Sequence, residues 1–185
     1  MTEFSVAQND GFAPDRVNDP AHTKQPKDCR NVRFADRRED VDIRQLQALY
    51  EQAAFWARGR QPEDLAIAIT NSYPVISAWD GDLMMGFARA TSDGVYRATI
   101  WDVVVHPDYQ GAGIGRKLVE TILTHPQIAR VERVYLMTTN QQRFYEKIGF
   151  EVNHSTTMVL HYQPLELPLR GEYELECDLG QAIDG

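Results

Sequence analysis

Residues 103 to 115, VVVHPDYQGAGIG, run from a valine-rich stretch through a Pro-Asp-Tyr turn to Gly111, Gly113 and Gly115, spaced two apart before an amphipathic segment. Glycines let a ligand approach the backbone without interference from Cβ. At a helix N-terminus several N–H groups are also unpaired and aligned with the positive end of the helix dipole, so such a turn suits phosphate. Two nucleotide motifs are excluded by spelling. The dinucleotide fingerprint needs glycine where Arg116 stands, and a P-loop needs Gly-Lys-Ser/Thr. A tight strand-to-helix connection without a ligand accounts for the glycines equally well. Just upstream, Asp102 is a carboxylate in otherwise apolar sequence, where an unpaired charge is costly and burial would raise its pKa. It is the preferred candidate for a general base, with a purely structural bond to backbone as the alternative. Phe55, Trp56, Tyr96 and Trp101 supply rings able to stack an indole or a cation, although core packing explains them as simply. His106, beside the turn, reads as a surface residue.

The chain has 185 residues, 43% apolar and 25% charged, which suits one ordinary globular domain. A net charge of −8 argues against a nucleic-acid surface, whose affinity would come from clustered Lys and Arg, and favours a cationic small substrate. Cys29 and Cys177 have no metal-ligand spacing and form no disulfide framework, so no metal is expected and a reducing compartment, the cytoplasm, fits. No apolar run approaches the roughly 20 residues that span a bilayer. No membrane partner is expected, and no secretory signal.

The elements that must position these residues follow from periodicity. Residues 1–28 mix Pro, Asn, Asp and Lys and read as a disordered or loosely docked tail. RNVRFA (30–35) reads as a strand, and VDIRQLQALYEQAAFW (41–56) as an amphipathic helix ended by Gly59. Pro62, with Glu63 and Asp64, opens a second helix. Three antiparallel strands follow, YPVISAWD, DLMMGFARATSD and VYRATIWDVVV, joined at Asp80-Gly81 and Asp93-Gly94. Ile114, Leu118, Val119, Ile122 and Leu123 then form one helical face. VERVYLMTT (131–139) reads as a strand, QQRFYEKIG (141–149) as a helix capped by Gly149, and TTMVLHY (156–162) as a last strand. Residues 163–185, with GEYELECDL, form an acidic extension that is either an edge strand or a tail. The order points to an α+β domain over residues 29–162 with a parallel seam in a mostly antiparallel sheet.

Gln110-Gly111-Ala112-Gly113-Ile114-Gly115 resembles the Gln/Arg-x-x-Gly-x-Gly/Ala signature of the GNAT N-acetyltransferase superfamily, and RFYEKIGF (143–150) resembles that family's second acetyl-CoA motif. The likeness runs from about Arg30 to about Tyr162. LQALYEQAAFW, SAWDGD and ATIWDVVV are similar to a plant-plastid and cyanobacterial branch known for serotonin, arylalkylamine, polyamine and protein-lysine acetylation.

The resemblance implies the acyl-CoA N-acyltransferase fold, with a splayed central strand pair and about four flanking helices, and acetyl-CoA as co-substrate. It implies that the pantetheine arm pairs with the backbone of Val103, Val104 and Val105, and that the turn from Gln110 to Gly115 holds the pyrophosphate, with Arg116 and Lys117 adding charge. Tyr145 resembles the family's general acid; a phenol of reference pKa near 10 stays protonated at neutral pH and can donate to a departing thiolate of pKa about 8.5. Asn140 is placed to position the cofactor or the leaving sulfur. It lies closer to Tyr145 than the family pattern has it, which leaves Thr138 and Thr139 as alternatives. Direct transfer of acetyl to a primary amine, an arylalkylamine or polyamine, is the expected activity. The alternatives are protein-lysine or N-terminal acetylation, and a catalytically silent acyl-CoA-binding module. The expected partner is the small amine, with a homodimer left open.

Overall fold

Among the described residues, strand periodicity and helix periodicity resolve into a five-stranded sheet covered by helices on both faces. The computed structural model describes residues 32–155 and 157–159. The chain divides into two units, residues 1–150 and 151–185. In the second, the described residues 151–155 and 157–159 carry no helix or strand, so Thr157–Val159 are not part of the expected last strand. The rest of that strand lies outside the described residues, as do both tails.

The first unit contains β1 (Val32–Ala35), α1 (Ile43–Ala53), α2 (Pro62–Thr70), β2 (Val75–Asp80), β3 (Leu83–Ser92), β4 (Arg97–Val105), α3 (Ile114–Thr124), β5 (Arg133–Leu136) and α4 (Gln142–Glu146). The strands lie side by side in sequence order. The first three pairings are antiparallel and β4 runs parallel to β5, with α3 as the crossover. This is the expected α+β class, with a mixed, mostly antiparallel sheet and four helices. On one face, Leu46, Leu49 and Tyr50 of α1 and Leu65 and Ile69 of α2 pack on Trp79, Met84, Phe87 and Val104. On the other, Ile114, Leu118, Val119 and Ile122 of α3 pack on Ile76, Met85, Ala88, Ala98 and Ile100.

Local chemistry sets the boundaries. The Asp42 carboxylate caps α1 by accepting from the backbone N–H groups of Arg44 and Gln45. The helix stops at Ala53, well before the expected Gly59, because Ala54 turns fully into the core and the chain continues as a 3₁₀ turn over Phe55–Ala57. That turn leaves Phe55 and Trp56 on the surface. The β2–β3 hairpin uses a two-residue loop with Gly81 at φ +58°. The β3–β4 loop is longer. There the Asp93 carboxylate accepts from the amides of Val95, Tyr96 and Arg97, and these donors, Arg97 first, hold its pKa below the usual value. Strand β5 and helix α4 are both shorter than their sequence patterns suggest.

One glycine controls how closely α3 lies on the sheet. A Cβ at Gly86 would stand 3.1 Å from Ala78 Cβ and 3.3 Å from both Ile114 and Leu118. Gly86→Ala should therefore force α3 outward, at a cost of about 1–3 kcal/mol for overpacking. A thermal melt should show Tm lowered by several degrees, and an unchanged Tm would mean that the contact relaxes freely.

Candidate active site

The site begins where β4 loses one neighbour. β5 accompanies β4 only from Arg97 to Ile100, paired with Arg133 to Leu136, and then leaves it. From Trp101 to Val105, β4 keeps β3 on one side and, among the described residues, has no strand partner on the other. A bulge lies in this freed stretch. Phe87 pairs with Val104 and Arg89 with Trp101, so Ala88 faces both Asp102 and Val103. Asp102 takes φ +53°, and no other described non-glycine residue has a positive φ. The extra residue reverses the side-chain alternation. Ile100 belongs to the α3-side core, whereas Val104 belongs to the α1-side core, and Val103 and Val105 now pack on the α3 side.

β4 leads through a 3₁₀ turn, Pro107–Tyr109, into the glycines. His106 caps that turn by accepting from Asp108 N at 3.2 Å, so it is half-buried and not a free surface group. Gly111 and Gly113 have φ of +82° and +84°, and a Cβ on either would meet no atom within 4 Å. Gly113 is the N-cap of α3 and supplies no side-chain acceptor. Helix geometry leaves the amides of Ile114, Gly115 and Arg116 without intrahelical partners, since Lys117 N is the first to bond back, to Gly113 O. The Ile114 side chain is buried, so that residue offers only backbone here. Gln110 turns back to donate to Val105 O at 3.0 Å, and Arg116 pairs with Glu120 at 2.7 Å. Ala112 and Lys117 are exposed.

At Gly115 three elements converge: a Cβ there would stand 3.5 Å from Phe144 Cζ and 3.6 Å from Val105 Cγ2. α4 is thus held beside both the mouth of α3 and the end of β4. Tyr145, on α4, packs edge-on to Phe144 and Phe150 and joins the cluster that contains Val103 and Val105. Burial pushes its phenol pKa up. Its hydroxyl makes no hydrogen bond to a described residue. Asn140 is exposed, Thr138 Oγ1 accepts from Gln141 N, and Thr139 O accepts from Gln142. Of the three, Asn140 and Thr139 keep their polar side chains uncommitted among the described residues.

Asp102 is deeply engaged. Arg89 Nε donates to it at 2.7 Å, and Arg60 Nη1 lies 3.3 Å from both of its oxygens. The Tyr50 hydroxyl faces the same carboxylate; burial first, and the Asp102 charge second, hold its pKa well above the phenol range. Arg60, Arg89 and Tyr50 escaped the sequence reading. The available signal was Arg89, a lone cation in an apolar strand, opposite in kind to the lone acid Asp102. Of the four aromatic candidates, only Phe55 and Trp56 share a ring contact among the described residues. Phe55 and Trp56 pack on each other edge-on and are exposed, Tyr96 stands exposed on the β3–β4 loop, and Trp101 lies under Arg89 with its Nε1 bonded to Thr91. Among the described residues no cluster of His, Cys, Asp and Glu is placed to hold a metal, and no helix is long and apolar enough to cross a membrane.

The profile of the acetyltransferase (GNAT) domain matches residues 71–152, which include the splay, the glycine turn and Tyr145. The chain is 32% identical over 133 residues to the uncharacterized N-acetyltransferase ycf52 of Pyropia yezoensis, covering 67% of this chain and 75% of that protein. The chain belongs to the GNAT acetyltransferase family. It is also 37% identical over 126 residues to the histone acetyltransferase TAP1 of Glycine max, covering 62% of this chain but only 54% of that one, about half its length. A crystal structure of a Xanthomonas campestris protein assigned to the GNAT family superposes with a TM-score of 0.64 at 24% identity, over 72% of this chain and 94% of that one. This last likeness speaks to the fold. GNAT proteins generally use acetyl-CoA, and a splayed strand edge leading into bare helix amides fits an amide arm followed by a diphosphate.

At Gly113 a β-branched side chain would meet an unfavourable φ, at a cost of about 1–3 kcal/mol, and would crowd the helix mouth. Gly113→Val is expected to abolish calorimetric binding of coenzyme A while circular dichroism still shows the folded domain. Undiminished affinity in the folded variant would take the diphosphate away from this turn.

Proposed function

We propose that this GNAT protein transfers acetyl from acetyl-CoA to a primary amine within a ternary complex, and that the amine is an arylalkylamine or a polyamine. The observation that carries the proposal is the splay: β4 is freed of β5 after Ile100 and runs directly into the glycine-lined mouth of α3. The backbone of Val103 to Val105 would receive the pantetheine arm, and the amides from Ile114 to Arg116 the diphosphate. Tyr145 lies in the side-chain cluster that bridges these two stretches.

In the reaction the amine nitrogen attacks the thioester carbonyl, the C–N bond forms and the C–S bond breaks. The departing thiolate takes the Tyr145 hydroxyl proton, and Tyr145 is reprotonated through solvent. An alkylamine of pKa near 10 is only about a thousandth neutral at pH 7, so it must also lose a proton. We assign that proton to water, because the Asp102 oxygens are already occupied by N–H donors. Asn140 is proposed to orient the leaving sulfur. The exposed Phe55–Trp56 pair and a net charge of −8 support a cationic, aromatic or extended acceptor. A reducing compartment such as the cytoplasm belongs to the same proposal. The likeness to a histone acetyltransferase favours a second reading, acetylation of protein lysines.

A turnover screen with acetyl-CoA against serotonin, tryptamine, spermidine, lysine and a lysine peptide separates the two. Turnover of the free amines is expected; acetylation of the peptide alone would replace the first reading with the second. Tyr145→Phe removes the proton donor and keeps the ring. It should preserve acetyl-CoA affinity and lower kcat by about 10²–10⁴-fold. Because burial raises the Tyr145 pKa, the acid form persists above the ordinary phenol value. The wild-type alkaline limb attributable to Tyr145 should therefore lie above pH 10 and vanish in the phenylalanine variant. A variant with wild-type kcat and pH profile would remove Tyr145 from the chemistry.

A further inference from the structure

The carboxylate of Asp102 is surrounded as a structural anchor is, and not as a proton acceptor is. Its side chain is 6% exposed. Its partners come from three different places: Arg89 from β3, Arg60 from the connection between α1 and α2, and Tyr50 from α1. Each partner is itself held. Arg89 also donates to Ser72 Oγ at 2.9 Å and lies over the Trp101 ring. Arg60 lies over the Tyr50 ring, and its carbonyl accepts from Gln47 Nε2 at 3.1 Å. A base needs an open lone pair facing the amine, whereas these oxygens face guanidinium N–H groups and a buried phenol.

Asp102 also sits at the bulge, in a left-handed conformation that costs an L-residue about 1–2 kcal/mol and that aspartate accepts better than most. The bulge puts Trp101 and Asp102 on the Arg89 side and turns Val103 and Val105 toward the α3 side. A charge clamp on the carboxylate therefore fixes where the freed edge of β4 begins.

We propose that Asp102 is a positioning residue. Clamped by Arg89 and Arg60, it holds the bulge, ties the α1–α2 connection to the splayed strand, and so sets the backbone from Val103 to Val105 on which the acetyl-CoA arm is laid. This rests on the acetyl-CoA reading of the site.

The test compares Asp102→Asn, Arg89→Gln, Arg60→Gln and the Asp102→Asn/Arg89→Gln double variant. Amide hydrogen exchange of Trp101 to Val105 is measured without acetyl-CoA, and KM for acetyl-CoA, kcat and the pH profile are measured with it. All three single variants should speed exchange in this stretch and lower kcat/KM for acetyl-CoA by up to about 10²-fold, mainly through KM, as misplacement does. The acid limb of kcat should stay where it is, and the double variant should be no worse than the more affected single one. A catalytic base predicts otherwise: for Asp102→Asn, unchanged KM, a kcat loss of about 10²–10⁴-fold and an altered acid limb, and for both arginine variants, unchanged KM with the acid limb moved to higher pH. Should Asp102→Asn fail to fold, Arg60→Gln still decides, because Arg60 is 36% exposed. Wild-type exchange and wild-type KM in Arg60→Gln would overturn the clamp. An unsubstituted protein that binds no coenzyme A would instead overturn the cofactor reading, and the clamp's function with it.

Discussion

A carboxylate taken out of water must be paired, and the ion pair between Asp102 and Arg89 at 2.7 Å is the interaction on which the geometry around it depends. Two adjacent strands meet there at a bulge, and a β-bulge changes which face each later residue occupies. Had β4 kept simple alternation, Ile100, Asp102 and Val104 would share one face. Instead Ile100 and Val104 enter cores on opposite sides of the sheet. Arg60, at 3.3 Å, is a second cation on the same carboxylate, so the charge of Asp102 is met from two elements. The left-handed residue is therefore held from outside its own backbone.

Around that point the glycines divide into two kinds. Gly86 is small because α3 lies close against the sheet, whereas a Cβ at Gly115 would meet Phe144 and Val105 at ordinary contact distance. Gly111 and Gly113 are glycine because the chain takes a positive φ, and the space beside each is open. The close approach presses α3 onto a core in which Leu118, Val119 and Ile122 are fully buried. The amides at its mouth are thus fixed by packing on the rest of the helix, and an anion arriving there meets donors whose ordering entropy has already been lost in folding.

Two phenols have raised pKa values, with burial as the first cause in both, yet their settings differ. Tyr50 is 2% exposed, between α1 and the sheet, beside a carboxylate and two guanidiniums. Tyr145 packs against the rings of Phe144 and Phe150, and burial is the sole cause of its shift. The same desolvation keeps both phenols protonated, one inside the helix–sheet packing and the other beside the splay. Arg116, whose charge was expected near the phosphates, pairs along α3 with Glu120, so the helix mouth offers mainly backbone.

The order of elements from β1 to α4, the α+β class, the hairpin glycines and the glycine-rich helix mouth were legible in the sequence, because each is set by residues near one another in the chain: alternation, capping and positive φ are local. The family resemblance was legible for the same reason, since its two motifs are short and contiguous. The α1 end was misplaced because burial of Ala54 is a tertiary fact, and no local pattern announces that a helix must stop before its glycine. That Phe55 and Trp56 meet edge-on while Trp101 lies under Arg89 was not legible, because ring orientation is not contained in composition. Asp102 shows the limit most plainly. The sequence marked it as a carboxylate that needed a reason to be buried. Arg89 lies 13 residues before it and Arg60 lies 42 before it, and only the antiparallel pairing of β3 with β4 and the packing of the α1–α2 connection bring both within hydrogen-bond distance.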